Sequence, residues 1–326
     1  MSTIIVANRR RRRRKALLIL PALFAIVLLF HGYIRITYNI LFRGPFIAHA
    51  FSEHLHVSKA RDDFDITFNS YPTTPSNTLN TSLPVPPIMH QILLGSPKTN
   101  ENVTIARKAC VRMHPGYEFK LWTDDNAADF VAKEYPHLFD MWSSYRFTIQ
   151  KADSLRYMVL YAYGGVFLDL DLECRRPLDP LRQFEFVAPA ATPMGISNGF
   201  LMVAPKHPFM KFTLENLRSY NINWFGLPYA TVMFSTGCHF LSTMQSIFPQ
   251  RDSLRVLWGP NNLHRLSGAV TTPIFRHLGM SSWHAADGGV IISLFKPEIP
   301  PDHTHNWTGG LASNTDIKTE TIDELE

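Results

Sequence analysis

In the stretch GGVFLDLDLECRRPL, residues 164–178, an apolar run ends in three acids, Asp169, Asp171 and Glu173, each two positions apart. Side chains two apart on an extended strand share a face, so the carboxylates would crowd together and call for a positive charge. A solvated strand end is the ordinary fate of a short acidic run, but this one closes the most apolar part of the chain, where unpaired carboxylates are costly. An EF-hand loop needs a glycine after its acids and a closing glutamate, and both are missing. A phosphatase-type Asp-x-Asp continues into a small hydroxylic or apolar residue, whereas Glu173, Cys174, Arg175 and Arg176 follow here. The fourth reading is a divalent-metal site. Hard carboxylate oxygens suit Mn²⁺ or Mg²⁺, and such an ion would neutralise the diphosphate of a nucleotide sugar and stabilise it as a leaving group.

A second pair lies just upstream. Asp153 and Arg156, in KADSLRY, stand at i and i+3 on one face of a predicted helix that runs into Gly164–Gly165, and so reach toward a bound sugar and phosphate. The plain alternative is a surface ion pair contributing about 0.3–0.5 kcal/mol.

These residues need elements to hold them. IMHQILL (residues 88–94) and EFKLWTD (118–124) read as strands, with the helical spacing of ENVTIARKACVRM between them. DDNAADFVAKEYPHLFDMW reads as a helix opened by an acidic N-cap and ended or redirected at Pro136. TIQKADSLRYMVLYAYGG is a helix stopped by its glycine pair, VFLDLDLE a buried strand, and FEFVAPA and GFLMVAP further strands, with HPFMKFTLENLRSY a helix. Strands alternating with helices predict an α/β fold with a mainly parallel central sheet, whose ligands bind at the carboxyl ends of the strands, where the acids lie.

The 326 residues carry a formal charge of +5, but Arg9–Arg14 and Lys15 supply seven of the 32 basic residues in one run. That leaves 25 basic against 27 acidic residues, which offers no nucleic-acid surface. The run reads as a basic cytosolic tail, 1–15, and the apolar segment after it, 16–34, as a single transmembrane signal anchor of the type II orientation. A cleaved signal peptide competes with this reading, but a small-residue cleavage site directly after the apolar core is missing. Residues 35–86 drift into Pro, Ser, Thr and Asn and read as a lumenal stem or linker, 87–310 as the catalytic body, and 311–326 as an acidic disordered tail. Sequons at Asn80, Asn102 and Asn306 fit a lumenal body. Three cysteines, Cys110, Cys174 and Cys238, lack zinc spacing; one disulfide with a leftover thiol, or three buried thiols, both remain open.

The series PPIMHQI, HPGYEFKLWTD and KADSLRYMVLYAYGGVFLDLDLECRRPLDPL, with PMGISNGFLMVAPKHPFM, LPYATVMFSTG and SSWH further on, resembles the DXD-containing glycosyltransferases, and the inositol phosphoceramide mannosyltransferases in particular. The resemblance implies a GT-A-type nucleotide-sugar-binding fold, a GDP-mannose donor, an inositol phosphoceramide acceptor, a divalent metal such as Mn²⁺, retention of anomeric configuration, a Golgi membrane setting and a small regulatory membrane subunit as partner. It places Asp169 and Asp171 on the metal and diphosphate, Asp153 and Arg156 on the donor sugar, His284 on the metal or phosphate, Trp122 and Asp124 at the nucleotide-facing end of the second strand, and Asn198 on the donor or acceptor side. Gly199 and Ala286 stand where relatives carry acids, a departure that bears on the acceptor more than the donor. The competing expectations are transfer to a protein N-glycan or a secreted small molecule, and a catalytically silent sugar-binding subunit.

Overall fold

The apolar run expected as the first strand becomes β1, Ile88–Leu93, in the six-stranded sheet of this computed structural model. The structure describes residues 21, 24–25, 27–47, 52–76, 79–95, 101–191, 195–266 and 268–279. The other strands are β2 (Glu118–Thr123), β3 (Gly165–Leu168), β4 (Leu172–Cys174), β5 (Phe186–Pro189), β6 (Phe200–Val203), β7 (Arg255–Leu257), β8 (Val270–Thr271) and β9 (Phe275–His277). The main sheet has the order β2-β1-β3-β6-β5-β7, and β4-β9-β8 form a second, antiparallel sheet. β1 runs parallel to β2 and β3, and β7 parallel to β5, while β6 is antiparallel to both of its neighbours. The fold is therefore α/β with a mixed sheet, in which β6 alone runs against the other strands.

Helix α1 (Glu101–Met113) makes the crossover that the parallel pair β1 and β2 requires. Helices α2 (Asp124–Glu134), α3 (Pro136–Ser143) and α4 (Thr148–Tyr163) lie between β2 and β3. Pro136 does redirect the chain, standing in the first turn of α3, where its missing N–H costs nothing. The cap of α2 differs from expectation: it is Thr123, whose N–H donates to Asn126 Oδ1 at 2.9 Å, and Asp124 and Asp125 fill the first turn behind it. α4 is stopped at the glycine pair for a steric reason. Gly165 has φ +100°, and a Cβ there would stand 2.5 Å from the Ile88 carbonyl oxygen, so only glycine lets β3 enter beside β1. Helices α5 (Pro208–Tyr220), α6 (Pro228–Ser235) and α7 (Cys238–Ile247) follow β6.

Alternation along the strands divides the core between the two sheet faces. Phe167, Leu201 and Val203 join one apolar cluster with α4, and Val166, Leu168, Phe200 and Met202 join the other.

VFLDLDLE is not one strand. β3 ends at Leu168, opposite Phe200, and β4 pairs with β9 in the other sheet. Asp169 and Asp171 therefore do not share a strand face; they flank a turn closed by the Leu172 N–H donating to the Asp169 carbonyl at 3.1 Å. The turn is fixed to the sheet by the Asp169 N–H, which donates to the Gly199 carbonyl at 2.8 Å.

The segment read as a linker also packs more than its composition suggests. Leu55, Val57, Phe64, Phe68 and Val85 are buried. Phe64, Phe68, Tyr71 and Phe184 form an aromatic group, and Arg176 donates to the carbonyls of Phe68 and Tyr71 at 2.9 and 3.1 Å. A few aromatics thus anchor a stretch whose polar composition cannot make a core alone.

Among the described residues no helix is long and apolar enough to cross a membrane. The span expected at 16–34 lies only partly among them, and residues 1–15 and 280–326, with His284, Asn306 and the acidic tail, lie outside them. Residues 27–38 are helical, with Leu28, Leu29, Phe30, Tyr33 and Ile34 exposed. The π-helical segment Asn39–Ile47 then docks on α7. Ile36 and Ile40 are buried, Asn39 donates to the Tyr220 hydroxyl at 3.1 Å, and His239 Nε2 donates to the Ile40 carbonyl at 2.7 Å.

Cys110 and Cys174 form a disulfide joining α1 to β4, and Cys238 is a free thiol. The bridge pins the strand that follows the acidic turn. Its removal in Cys110→Ser/Cys174→Ser should cost about 2–4 kcal/mol of stability. Chemical denaturation of the variant, and of the native chain with and without reductant, checks this; a midpoint indifferent to reduction would show that the bridge constrains nothing.

Candidate active site

Helix α4 brings Asp153, Arg156 and Tyr157 beneath the carboxyl end of β3. The Arg156 guanidinium is the hub. Its Nη2 lies 3.0 Å from Asp153 Oδ1 and 3.5 Å from Asp169 Oδ1, its Nη1 donates to the Asn198 carbonyl at 2.5 Å, and its charged carbon stands 4.5 Å from the Phe167 ring centroid. The expected i, i+3 pair exists, but it is buried rather than superficial: Asp153 and Arg156 are each 3% exposed.

Both Asp153 oxygens are committed within the protein. Oδ1 also accepts from Asn198 Nδ2 at 3.1 Å, and Oδ2 accepts from the Thr236 hydroxyl at 3.1 Å. Asn198 Nδ2 lies 3.2 Å from the Tyr157 hydroxyl as well, and its Oδ1 accepts from the Cys238 thiol at 2.8 Å. The network thus ties α4, the end of β3, the loop entering β6 and the α6–α7 junction into one unit. Thr236, Tyr157 and Cys238 were not expected here. Tyr157 follows Asp153 by one helical turn, which is a legible signal; Thr236 and Cys238 arrive only through tertiary packing.

Gly199 has a local steric role. A Cβ at this position would lie 2.7 Å from Asp169 Oδ2, so the absence of a side chain makes room for the Asp169 carboxylate. Asp171 is held from the other side. His277 Nε2, at the end of β9, lies 3.2 Å from Asp171 Oδ2, and the Leu278 N–H donates to the Asp171 carbonyl at 2.9 Å. Sequence reasoning missed His277, since nothing local marks a histidine that reaches the site through a second sheet.

Charge is crowded here. Burial raises the Asp169 carboxyl to about 7, with Arg156 opposing and the Asp171 and Asp153 carboxylates adding to the rise. Its side chain keeps 36% of its surface open, so solvent and any arriving cation have access to it. Burial also raises Asp153, against the pull of Arg156, Thr236 and Asn198. His277 is lowered by burial but raised more by its hydrogen bond and charge contact with Asp171, and stays above its ordinary value. Cys238 is pushed by burial up to about 11 and is a neutral donor.

Trp122 and Asp124 are held elsewhere. The Trp122 ring packs among His90, Phe130 and Tyr163, and its N–H donates to His90 Nδ1 at 3.2 Å, as a core residue does. Asp124 Oδ2 accepts from the Gly95 N–H at 2.8 Å and fixes the loop after β1. Of the sequons, Asn80 and Asn102 are exposed.

Among the described residues no group of three or more His, Cys, Asp or Glu side chains could by itself hold a metal ion. Asp169 and Asp171 still fit one in chemical type: two hard carboxylates, one of them unfavourably charged, that need further oxygens from a substrate to complete a coordination shell.

The comparisons fall on these same elements. Residues 100–187, which include Asp153, Arg156, Asp169 and Asp171, match the family described as "Glycosyltransferase sugar-binding region containing DXD motif". The chain is 36% identical over 235 residues to inositol phosphoceramide mannosyltransferase 3 of Schizosaccharomyces pombe, covering 70% of this chain and 61% of that protein. It is 35% identical over 220 residues to mannosyl phosphorylinositol ceramide synthase SUR1 of Saccharomyces cerevisiae, covering 65% of this chain and 56% of that protein. The chain therefore spans about three fifths of the length of these relatives. A solved structure, PaToxG glycosyltransferase, superposes with a TM-score of 0.36 at 16% identity, covering 56% of this chain and 73% of that one. Residues 100–187 thus resemble a DXD-containing glycosyltransferase sugar-binding region, and the chain is similar to the inositol phosphoceramide mannosyltransferases.

Two outcomes test the geometry. Arg156→Met should lose roughly 3–5 kcal/mol by stranding the Asp153 charge, and adding Asp153→Asn should recover much of it; equal stability of native and single variant in urea would contradict the pairing. Because the folded-state values of Asp169 and Asp153 are raised, these two carboxyls favour the folded chain at low pH and lose that contribution as pH rises, whereas His90, His207 and His264, lowered by burial to about 4, act in the opposite sense. The stability difference between the native chain and Asp169→Asn, measured with divalent ions chelated, should therefore move against the native chain as pH rises from about 4 to about 7, because the variant lacks this titration.

Proposed function

We propose that the protein is a metal-dependent, retaining glycosyltransferase of the GT-A type that moves mannose from GDP-mannose to an inositol phosphoceramide-type sphingolipid. The observation that carries this reading is the pair Asp169 and Asp171, set in a turn at the carboxyl end of β3 and backed by the buried Arg156 network. The mannosyltransferase relatives supply the sugar and the lipid class.

Asp169 and Asp171 would hold the divalent cation, Mn²⁺ or a similar ion, which supplies charge neutralisation at the departing diphosphate. Asp153 has no free oxygen in this arrangement, so its work is to hold Arg156 and Asn198 in place as the floor beneath the donor sugar. Arg156 keeps Asp169 aimed at the turn, and His277 does the same for Asp171. In the transfer step the acceptor hydroxyl oxygen bonds to the anomeric carbon on the face the diphosphate leaves. The bond from that carbon to the diphosphate oxygen breaks, and the hydroxyl proton passes to the leaving group. Asp153 has both oxygens engaged within the protein, and Asp169 and Asp171 are assigned to the cation in this reading, which favours the same-face route.

A lipid acceptor agrees with the exposed apolar side chains of residues 27–38, and we place the chain in the Golgi membrane, in type II orientation with its body lumenal. The disulfide and the exposed sequons Asn80 and Asn102 support an oxidising lumen.

The test offers the full chain, in detergent, GDP-mannose, UDP-glucose and UDP-galactose with Mn²⁺. The expected result is turnover of GDP-mannose alone, reduced roughly 10²–10³-fold in Asp171→Asn, as for loss of a group that stabilises transition-state charge. Turnover that persists in Asp171→Asn, or that ignores chelation, contradicts the reading.

A further inference from the structure

Helix α7 connects the acidic cluster to a second cavity. Cys238, its first residue, touches Asn198, and Gln245 lies two turns further along, about 10 Å away at 1.5 Å per residue. The cavity there has a volume of about 240 Å³ and is lined by Glu53, His56, Gly195, Gln245 and Trp258 among others. It stands on the same edge of the sheet as Asp169. Leu168 of β3 pairs with Phe200 of β6, and Pro189 of β5 pairs with Leu257 of β7, so Trp258, just past β7, and Asp169, just past β3, both follow carboxyl ends. The short loop that enters β6 runs from Gly195, in the cavity wall, to Asn198 and Gly199 in the cluster.

The lining has a defined chemistry. Trp258 is stacked on His56, ring centroids 5.4 Å apart and planes within 8°, which fixes the indole as a flat apolar platform. Gln245 is 1% exposed, yet its amide nitrogen has no hydrogen-bond partner in the protein, an uncommon state for a buried donor and one that a ligand oxygen would relieve. Glu53 adds an exposed carboxylate at the rim. Among the described residues no Lys or Arg lines the cavity, which favours a neutral ligand over a phosphate. A flat aromatic face with an amide donor and a carboxylate acceptor suits a small ring that carries C–H on its faces and hydroxyls on its edge. The volume suits one such ring rather than a nucleotide or an acyl chain.

We propose that this cavity is an acceptor subsite that takes a neutral polyhydroxylated ring, with Trp258 as its platform and Gln245 Nε2 as a donor to one of its hydroxyls. The inference rests on the glycosyltransferase reading for its role and on the cavity itself for its ligand. Its place in the fold suits a ring carried on a membrane lipid, because the segment Asn39–Ile47, which continues from the exposed apolar helix, packs along the same α7.

Two measurements on the full chain in detergent test it. The first is saturation-transfer NMR with myo-inositol and no donor, which needs no catalysis. Signal in the native chain, lost in Trp258→Ala and in the shape-conserving Gln245→Leu with unchanged thermal midpoints, is the expected result. No signal in the native chain, or equal signal in both variants, overturns the subsite. The second is transfer kinetics with an inositol-headgroup lipid in mixed micelles and with free myo-inositol, in which both variants should raise the acceptor KM at least tenfold with a smaller change in the KM for the donor. An unchanged acceptor KM overturns the proposal, whereas absent donor turnover in the native chain would sink the enzymatic reading and leave the NMR result to decide the cavity. A headgroup lipid captured better than free myo-inositol marks the membrane source; equal capture marks the free ring.

Discussion

The contact between Asp153 and Arg156 sets the terms for the rest of this structure. Two opposite charges taken almost wholly out of water are tolerable only if their remaining donors and acceptors are also met. That requirement draws in Thr236, Asn198 and Asp169, which come from the α6–α7 junction, the loop before β6 and the end of β3. Four distant parts of the chain must arrive together to meet all of the pair's polar atoms but Arg156 Nε, which is buried without a hydrogen-bond partner. The polar cluster thereby specifies one arrangement of the elements around it, an effect an apolar substitute would not supply.

The same constraint explains why the acids occupy a turn and not a strand. Asp169 must leave the sheet to meet Arg156, and it does so where the Gly199 carbonyl takes its N–H and where the missing side chain at Gly199 leaves space for its carboxylate. The chain then re-enters a different sheet, in which β9 delivers His277 to Asp171 and the Cys110–Cys174 bridge fastens β4 to α1. One acid is backed by a buried arginine and the other by a histidine. Each carboxylate is therefore held in a fixed position, the preorganisation that stabilisation of a departing charge demands.

Much of this was legible in the order of residues. Apolar runs of strand length, the glycine pair after α4 and the i, i+3 spacing of Asp153 and Arg156 follow from local rules and appear where expected. Local rules failed where a long-range partner decided. VFLDLDLE reads as one extended run because nothing within it shows that its two halves pair with different strands. His277 and Thr236 carry no local mark. Trp122, which the family resemblance places at the nucleotide-facing end of β2, packs there among His90, Phe130 and Tyr163. The polar stretch upstream of β1 shows the opposite case: its average composition conceals a few aromatics, Phe64 and Phe68 above all, that pack it against the body.

Arg156, through its planar fork, is proposed to aim Asp169 for a cation-bound diphosphate. The most direct test of that role is the affinity for GDP, by calorimetry with and without Mn²⁺, in the native chain and in Arg156→Lys. A lysine keeps the charge beside Asp153 but, as a point charge, cannot serve Asp153, Asp169 and the Asn198 carbonyl at once. Mn²⁺ should tighten GDP binding in the native chain at least tenfold, and Arg156→Lys should lose most of that gain while remaining folded. A Mn²⁺ gain equally large in both proteins, or none in the native chain, would contradict that role.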